Sequence, residues 1–224
     1  MPADISAGPR LAGRRRQAAQ NDVVILDAAH AVFLEDPRAP ISAVAQRAGV
    51  GISALYRRYP SKEDLLRRLC HDGLRTFIAE AEAALAVADP REALIGFLVR
   101  VVDADVHSLT VHLAGTFTPT EEMGRDAARA GELATELFDQ ALAAGAVCSD
   151  AVVQDIGLAL EACAAIRVPN AGRTRELRRR VLATLLGGLA PPGADRPPLP
   201  GPPPEAGELN WRWGQRSPPD PGES

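Results

Sequence analysis

Between Ile41 and Leu66 the chain reads ISAVAQRAGVGISALYRRYPSKEDLL, and no other stretch narrows its fold so far. Val44, Ala45 and Ala48 line up as a single small apolar face, as on a short helix. Gly49 follows, a residue for which positive φ carries no side-chain strain, so the chain can turn sharply there. Ile52, Leu55 and Tyr59 recur at i, i+3 and i+7, which predicts a second helix with those three residues buried. Its other face carries Ser53, Ala54, Tyr56, Arg57 and Arg58. Ser61 and Asp64, three residues apart after Pro60, form a near-capping box that predicts the start of a third helix. A tight turn leading into a helix that displays small polar, aromatic and cationic groups is the helix-turn-helix pattern for the DNA major groove.

From Ala45 through Leu66 the motif resembles the DNA-binding end of TetR-type transcriptional regulators. ILDAAHAVFLED (Ile25–Asp36) looks like that family's first helix, with Ile25, Leu26, Ala28, Ala29 and Phe33 at apolar positions. Two departures stand out. Pro40 occupies the place of the usual hydroxyl cap on the second helix, and Pro37-Arg38-Ala39 replaces a glycine-containing loop. Proline can open a helix but has no side-chain acceptor to cap it, which leaves Ser42 as the candidate to take over a phosphate contact.

Composition agrees with a helical protein. Hydrophobic residues make up 46% of the 224, and aromatics only 4%, which with abundant Ala and Leu favours helix-on-helix packing. No run of eighteen apolar residues exists and the N-terminus has no apolar h-region, so neither a membrane span nor a secretory signal is expected. Cys70, Cys148 and Cys163 are odd in number and widely spaced, fitting buried or free thiols in a reducing cytoplasm. Charge is asymmetric. Up to Lys62, nine basic residues face five acidic ones, net +4, while the remainder carries sixteen against twenty-four, net −8. A positive end on an acidic body suits a two-part DNA-binding protein.

The chain is expected to divide into a flexible basic arm (1–18), a helix-turn-helix domain (19–62), a helical domain (63–190) that the resemblance makes effector-binding and dimerising, and a Pro-rich, disordered tail (191–224). Helices are predicted near 19–36, 41–48, 52–58 and 61–87, then from Asp89-Pro90 to about Ser108. Others run from Thr118-Pro119 to Ala144, from a Ser149 or Asp150 cap to about Val168, and from Arg173 to Leu189. No alternating β-branched run is long enough for a strand, so the expected fold is all-α. The tail, with PPGADRPPLPGPPPEAG, favours polyproline II or disorder. Its Trp211 and Trp213 either anchor it or belong to an unstructured extension.

Groove geometry makes Tyr56, Arg58 and Lys62 candidate phosphate contacts, and Ser53, Ala54 and Arg57 candidate base readers. Arg57 suits phosphate equally, and Tyr56 also fits a partly buried core. Arg14, Arg15 and Arg16 suit either a minor-groove arm or a solubilising tail. On the last two helices, Val152, Ile156 and Leu160 form a stripe with Cys163, matched by Leu177, Val181, Leu185 and Leu189. These either fill their own core or pair with a second copy. The resemblance favours the second, because such regulators dimerise through their last two long helices. It also implies a small-molecule effector pocket in the larger domain, with Phe97, Val101, His107, His112, Phe117, Met123, Phe138 and Cys163 as candidate lining.

No GxSxG, GxxxxGK[ST], HExxH or strand-borne GxGxxG motif is present, so no catalytic residue, cofactor or metal ligand is assigned. The expectation is a cytoplasmic, homodimeric repressor that binds a near-palindromic DNA operator, contacts no membrane and releases DNA on binding an effector. The alternative is a small helical enzyme or metal-dependent binding protein without DNA binding. It would require Asp103, His107 and His112 to converge.

Overall fold

The computed structural model describes residues 8–113, 115–194, 197–205 and 208, with side chains from Asp22 onward except 110 and 111. Helices, and no strands, form among the described residues: α1 (Gly8–Glu35), α2 (Ile41–Ala48), α3 (Ile52–Arg58), α4 (Lys62–Leu85), α5 (Pro90–Asp103), α6 (Val106–Leu113), α7 (Glu121–Ala143), α8 (Val153–Ala165) and α9 (Ala171–Leu189). The all-α expectation holds. The chain groups into two compact units. The first comprises the chain up to Arg75 with Leu109–Asp126, and the second Thr76–Ser108 with the chain from Ala127. The break falls within α4 rather than at residue 62, because Leu65, Leu66, Leu69 and Cys70 pack into the first core.

In the first unit, Ile25, Ala28, Ala29, Val32 and Phe33 follow the i, i+3, i+4, i+7 spacing of an amphipathic helix and are all buried. They meet Val44, Ala45, Leu55 and Leu65, joined by Leu109, Leu113 and Met123. Phe33, Val44, Leu55 and Leu65 are fully buried, each contributing roughly 1.5–3 kcal/mol of hydrophobic stabilisation. α1 begins at Gly8, so the backbone of residues 8–18 is helical where a flexible arm is expected. Ala, Gln and Arg in this stretch favour a helix even without an apolar period.

Helix starts follow their caps. The Asp64 N–H donates to Ser61 Oγ at 3.0 Å, while the Ser61 hydroxyl donates to the Asp64 carboxylate. Asp89 accepts from the Glu92 N–H with Pro90 at the helix start, and Asn170 accepts from the Arg173 N–H. α8 departs from expectation: it starts at Val153, not near Ser149, and ends at Ala165. The Asp155 carboxylate accepts the Val152 N–H at 2.9 Å and satisfies that end.

In the second unit, Phe97, Leu98, Val101, Leu133, Leu137, Phe138 and Cys163 form the centre of the core. Phe77 and Phe97 meet edge to face, with centroids 5.0 Å apart. Arg178 is 3% exposed and ties this core together. It pairs with Asp105 and donates Nε–H to the Ile166 carbonyl at 2.9 Å. Asp105 holds a left-handed backbone (φ 55°), and its ion pair with Arg178 anchors that turn.

Candidate nucleic-acid interface

The turn between α2 and α3 depends on Gly49. Its backbone is left-handed (φ 65°, ψ 27°), and its N–H donates to the Gln46 carbonyl while the next residue's N–H reaches Ala45. These bonds close the end of α2 in the helix-terminating pattern that favours glycine. At the other end, Pro40 supplies an extended N-cap with no side-chain hydrogen bond, as its chemistry requires. Leu55 and Tyr59 turn inward as the periodicity predicts. Ile52 does not: it is 40% exposed. As the first residue of α3, one turn before Leu55, it stands past the edge of the core.

Ser42, Ser53, Ala54, Tyr56, Arg57 and Arg58 are all exposed. Tyr56 therefore lies outside the core, which removes the core reading of that residue. Arg57 makes no ion pair or hydrogen bond with a described residue. Its neighbours in the site are more constrained. Arg58 forms a two-pronged pair with Asp22 of α1, Nε donating to Oδ1 at 2.6 Å and Nη2 to Oδ2. Asp22 raises the Arg58 pKa through that hydrogen bond. Lys62 is half-buried and turns toward the α1–α2 connection, its ammonium donating to the Pro37 carbonyl at 2.9 Å and the Ala39 carbonyl at 2.8 Å. The same Nζ lies 5.0 Å from the Phe33 ring centroid, in cation–π range. Burial lowers the Lys62 pKa.

These two cations are long-range struts. Arg58 joins the second helix of the motif to α1 across 36 residues, and Lys62 pins the Pro37–Ala39 loop to the start of α4. Sequence reasoning places both at the groove edge because their partners are distant in the chain. Asp22 and the loop carbonyls give no local signal. Arg47 adds an exposed ion pair to Glu35 at 3.2 Å. Arg14, Arg15 and Arg16 fall where side chains are not described, and Trp211 and Trp213 lie outside the described residues.

The eight candidate effector residues divide between the two units. His112, Phe117 and Met123 belong to the first unit, and Phe97, Val101, His107, Phe138 and Cys163 to the second. Phe97, Val101, Phe138 and Cys163 are buried in a packed core, and Met123 packs with the helix-turn-helix residues. A small cavity of about 20 Å³ in the second unit is lined by Arg91, Leu94, Ile95, Ala146, Val147, Leu186, Leu189 and Ala190, none of them a candidate. That is room for about one water. The eight were chosen for chemical type, and type carries no information on which side of a helix meets which neighbour.

On α8 and α9 the apolar stripe faces inward. Ile156, Leu160, Leu177 and Cys163 are buried, while Val181, Leu185 and Leu189 are half-buried. Val152, the residue just before α8, is 51% exposed, and the opposite side of α8 presents Leu158 at 65%. Ile156, Leu160 and Cys163 thus fill the second unit's core, with Val181 and Leu189 packed against it. Burial pushes the Cys70 and Cys163 thiols up to about 11, which keeps both protonated at neutral pH.

Asp103 and His107 lie in the second unit and His112 in the first. Asp103 is occupied by Arg179, with both carboxylate oxygens accepting at 2.5 Å. A different group comes together: His71, Glu122 and Asp126 offer ligand-type atoms within 4.8 Å of one another. Arg75 supplies positive charge there, 2.8 Å from Glu122, and His71 Nε2 lies 2.7 Å from Asp126. No described helix is long and apolar enough to cross a membrane.

With this geometry in place, the chain can be set beside known proteins. Residues 25–69 match the family model described as bacterial regulatory proteins, tetR family. A stretch of 86 residues is 38% identical to the HTH-type transcriptional repressor LfrR of Mycolicibacterium smegmatis. That stretch is 37% of this chain and 42% of the repressor, so the chain matches less than half of that relative's length. The fold is similar to the crystal structure of the TetR transcriptional regulator SCO0520 from Streptomyces coelicolor, with TM-score 0.55 and 28% identity over 77% of this chain and 99% of that one. It is also similar to LfrR from Mycobacterium smegmatis solved in complex with proflavine, with TM-score 0.53 and 22% identity over 76% of this chain and 98% of that one. Residues 25–69 of the chain thus match the tetR family of bacterial regulatory proteins, and its fold is that of solved TetR regulators.

Proposed function

We propose that this protein is a dimeric, cytoplasmic transcriptional repressor that leaves its DNA operator when a small molecule binds, and that it is not an enzyme. One observation carries the DNA reading: Ser53, Ala54, Tyr56 and Arg57 stand exposed along one helix whose other side is locked into a core. A rigid helix with hydroxyl, methyl, phenol and guanidinium groups outward has what base and phosphate recognition needs. Ser42 sits exposed at the start of α2, where a hydroxyl can reach phosphate. Arg58 and Lys62 position this surface. Arg58 can also exchange Asp22 for phosphate, since an exposed ion pair contributes only about 0–1 kcal/mol.

Dimerisation through the outward sides of α8 and α9, with Leu158 and Val152 exposed, is consistent with a symmetric operator. Ile156, Leu160 and Cys163 face the core of their own unit, which leaves Val152 and the half-buried Leu185 as the stripe residues better placed for this contact. For the effector, the LfrR structure in complex with proflavine offers a precedent for a small-molecule ligand on this fold. A comparable ligand would have to open the packed core around Phe77, Phe97, Val101 and Phe138, for the nearby cavity is too small. Such an opening fits a population shift between two states. The metal-dependent alternative has less support, because both carboxylate oxygens of Asp103 are already held by Arg179.

Selecting bound duplexes from a random-sequence pool tests the DNA reading. The expected outcome is a two-fold symmetric site whose half-sites lie about 34–36 Å apart, one helical turn. Arg57→Ala should lose at least roughly 1 kcal/mol of affinity for it. A protein that enriches no sequence would overturn the reading.

A further inference from the structure

After α9 the chain turns back, and its proline-rich segment lies along the helix it has just left. Arg173, Glu176 and Arg180 share one side of α9 at i, i+3 and i+7 spacing. Arg180 Nη1 donates to the Gly201 carbonyl at 3.1 Å. Seven residues earlier on the helix, Arg173 donates to the Pro202 carbonyl at 3.2 Å and the Pro203 carbonyl at 2.8 Å. It also holds both oxygens of Glu208, at 2.5 and 3.0 Å. The segment therefore runs antiparallel to α9. Although the prolines between are exposed, the Arg173 and Glu208 side chains are only 16% and 14% exposed, so the pair is largely covered.

The chemistry is selective. Prolines have no N–H, so an extended proline-rich segment cannot form a ladder and leaves its carbonyls as free acceptors. A guanidinium offers five donors in a planar fork, enough to hold a carboxylate and two carbonyls together. Glu208 is pre-set for this contact by accepting the Glu205 N–H at 3.0 Å, and Arg173 is steadied by Glu176 at 3.0 Å. The guanidinium holds the Glu208 carboxyl below its usual pKa range. Gly201 adopts a left-handed conformation (φ 68°) where the segment meets the helix.

We infer that α9 carries a binding site for an extended, proline-rich acidic peptide, read by Arg173 and Arg180, and that residues 200–205 and Glu208 of the same chain occupy it. The site is independent of the DNA reading. It makes residues 200–205, with Glu208, a strap over one side of α9.

A cross-link tests this directly in the full chain. A Cβ at Gly201 would lie 3.8 Å from that of Glu176, matching the mean Cβ separation of about 3.8 Å in disulfides. Glu176→Cys with Gly201→Cys should oxidise rapidly to a product of monomer mass, and adding Arg173→Gln or Glu208→Gln should slow the reaction several-fold. Cysteine at a left-handed position is strained, so a second readout uses the natural residues. Trp211 and Trp213 are the only tryptophans in the chain and lie close to Glu208 in sequence. Their fluorescence anisotropy should fall in Arg173→Gln and in Glu208→Gln, with the helical circular dichroism unchanged. The inference is overturned if neither the oxidation rate nor the anisotropy responds to these substitutions. A cross-link that joins two chains would overturn occupation by the chain's own segment.

Discussion

Lys62 and Arg57 carry the same charge within five residues of each other, yet their surroundings assign them different work. Lys62 binds two loop carbonyls and faces Phe33, so replacing it with Met removes charged hydrogen bonds worth roughly 1–3 kcal/mol. Chemical denaturation should show that loss in the first unit, and an unchanged transition would refute the strut. Arg57 is exposed and unpaired among the described residues, so Arg57→Ala should leave stability within about 0.5 kcal/mol of wild type while DNA affinity falls. Gly49 provides a third test. With nothing within 4 Å of a Cβ there, Gly49→Ala acts only through its left-handed backbone and should cost about 1 kcal/mol. A larger loss would mean that packing, not conformation, requires glycine.

Among the helices, α8 separates core from surface most sharply. Ile156 is buried and Leu158, two residues on, is exposed. Ile156→Glu should unfold the second unit or destabilise it by several kcal/mol, roughly 3–5. Leu158→Glu should leave the fold intact and lower the mass in solution from dimer to monomer, as measured by light scattering. A dimer that survives Leu158→Glu would move the interface elsewhere. The local signals in the chain were legible because each acts within a few residues. Gly49, Ser61-Asp64 and Asp89-Pro90 each set a helix end through a neighbouring backbone group. What could not be read depended on distant partners. Arg58 needs Asp22, Lys62 needs the Pro37 and Ala39 carbonyls, and Arg173 needs Glu208. The α8–α9 stripe shows the same limit: periodicity identifies an apolar side but not whether its neighbour is the same chain or another. The eight proposed effector residues share a chemical character, but their helices distribute them between two cores.

For the whole molecule, the charge division of the sequence meets the exposed cations of α3. The segment through Lys62 is net +4 and the remainder net −8, so attraction to a polyanion is confined to one end. Binding driven by phosphate neutralisation releases counterions and must weaken as salt rises. The central claim, that the exposed residues of α3 grip duplex DNA, is tested most directly by measuring affinity for the selected duplex across a salt series, for wild type and Arg57→Ala. The account predicts a steep linear fall of log affinity with log salt in wild type, and weaker binding throughout for Arg57→Ala. It would be contradicted by an affinity that does not change with salt, or by an Arg57→Ala protein that binds as tightly as wild type at every salt concentration.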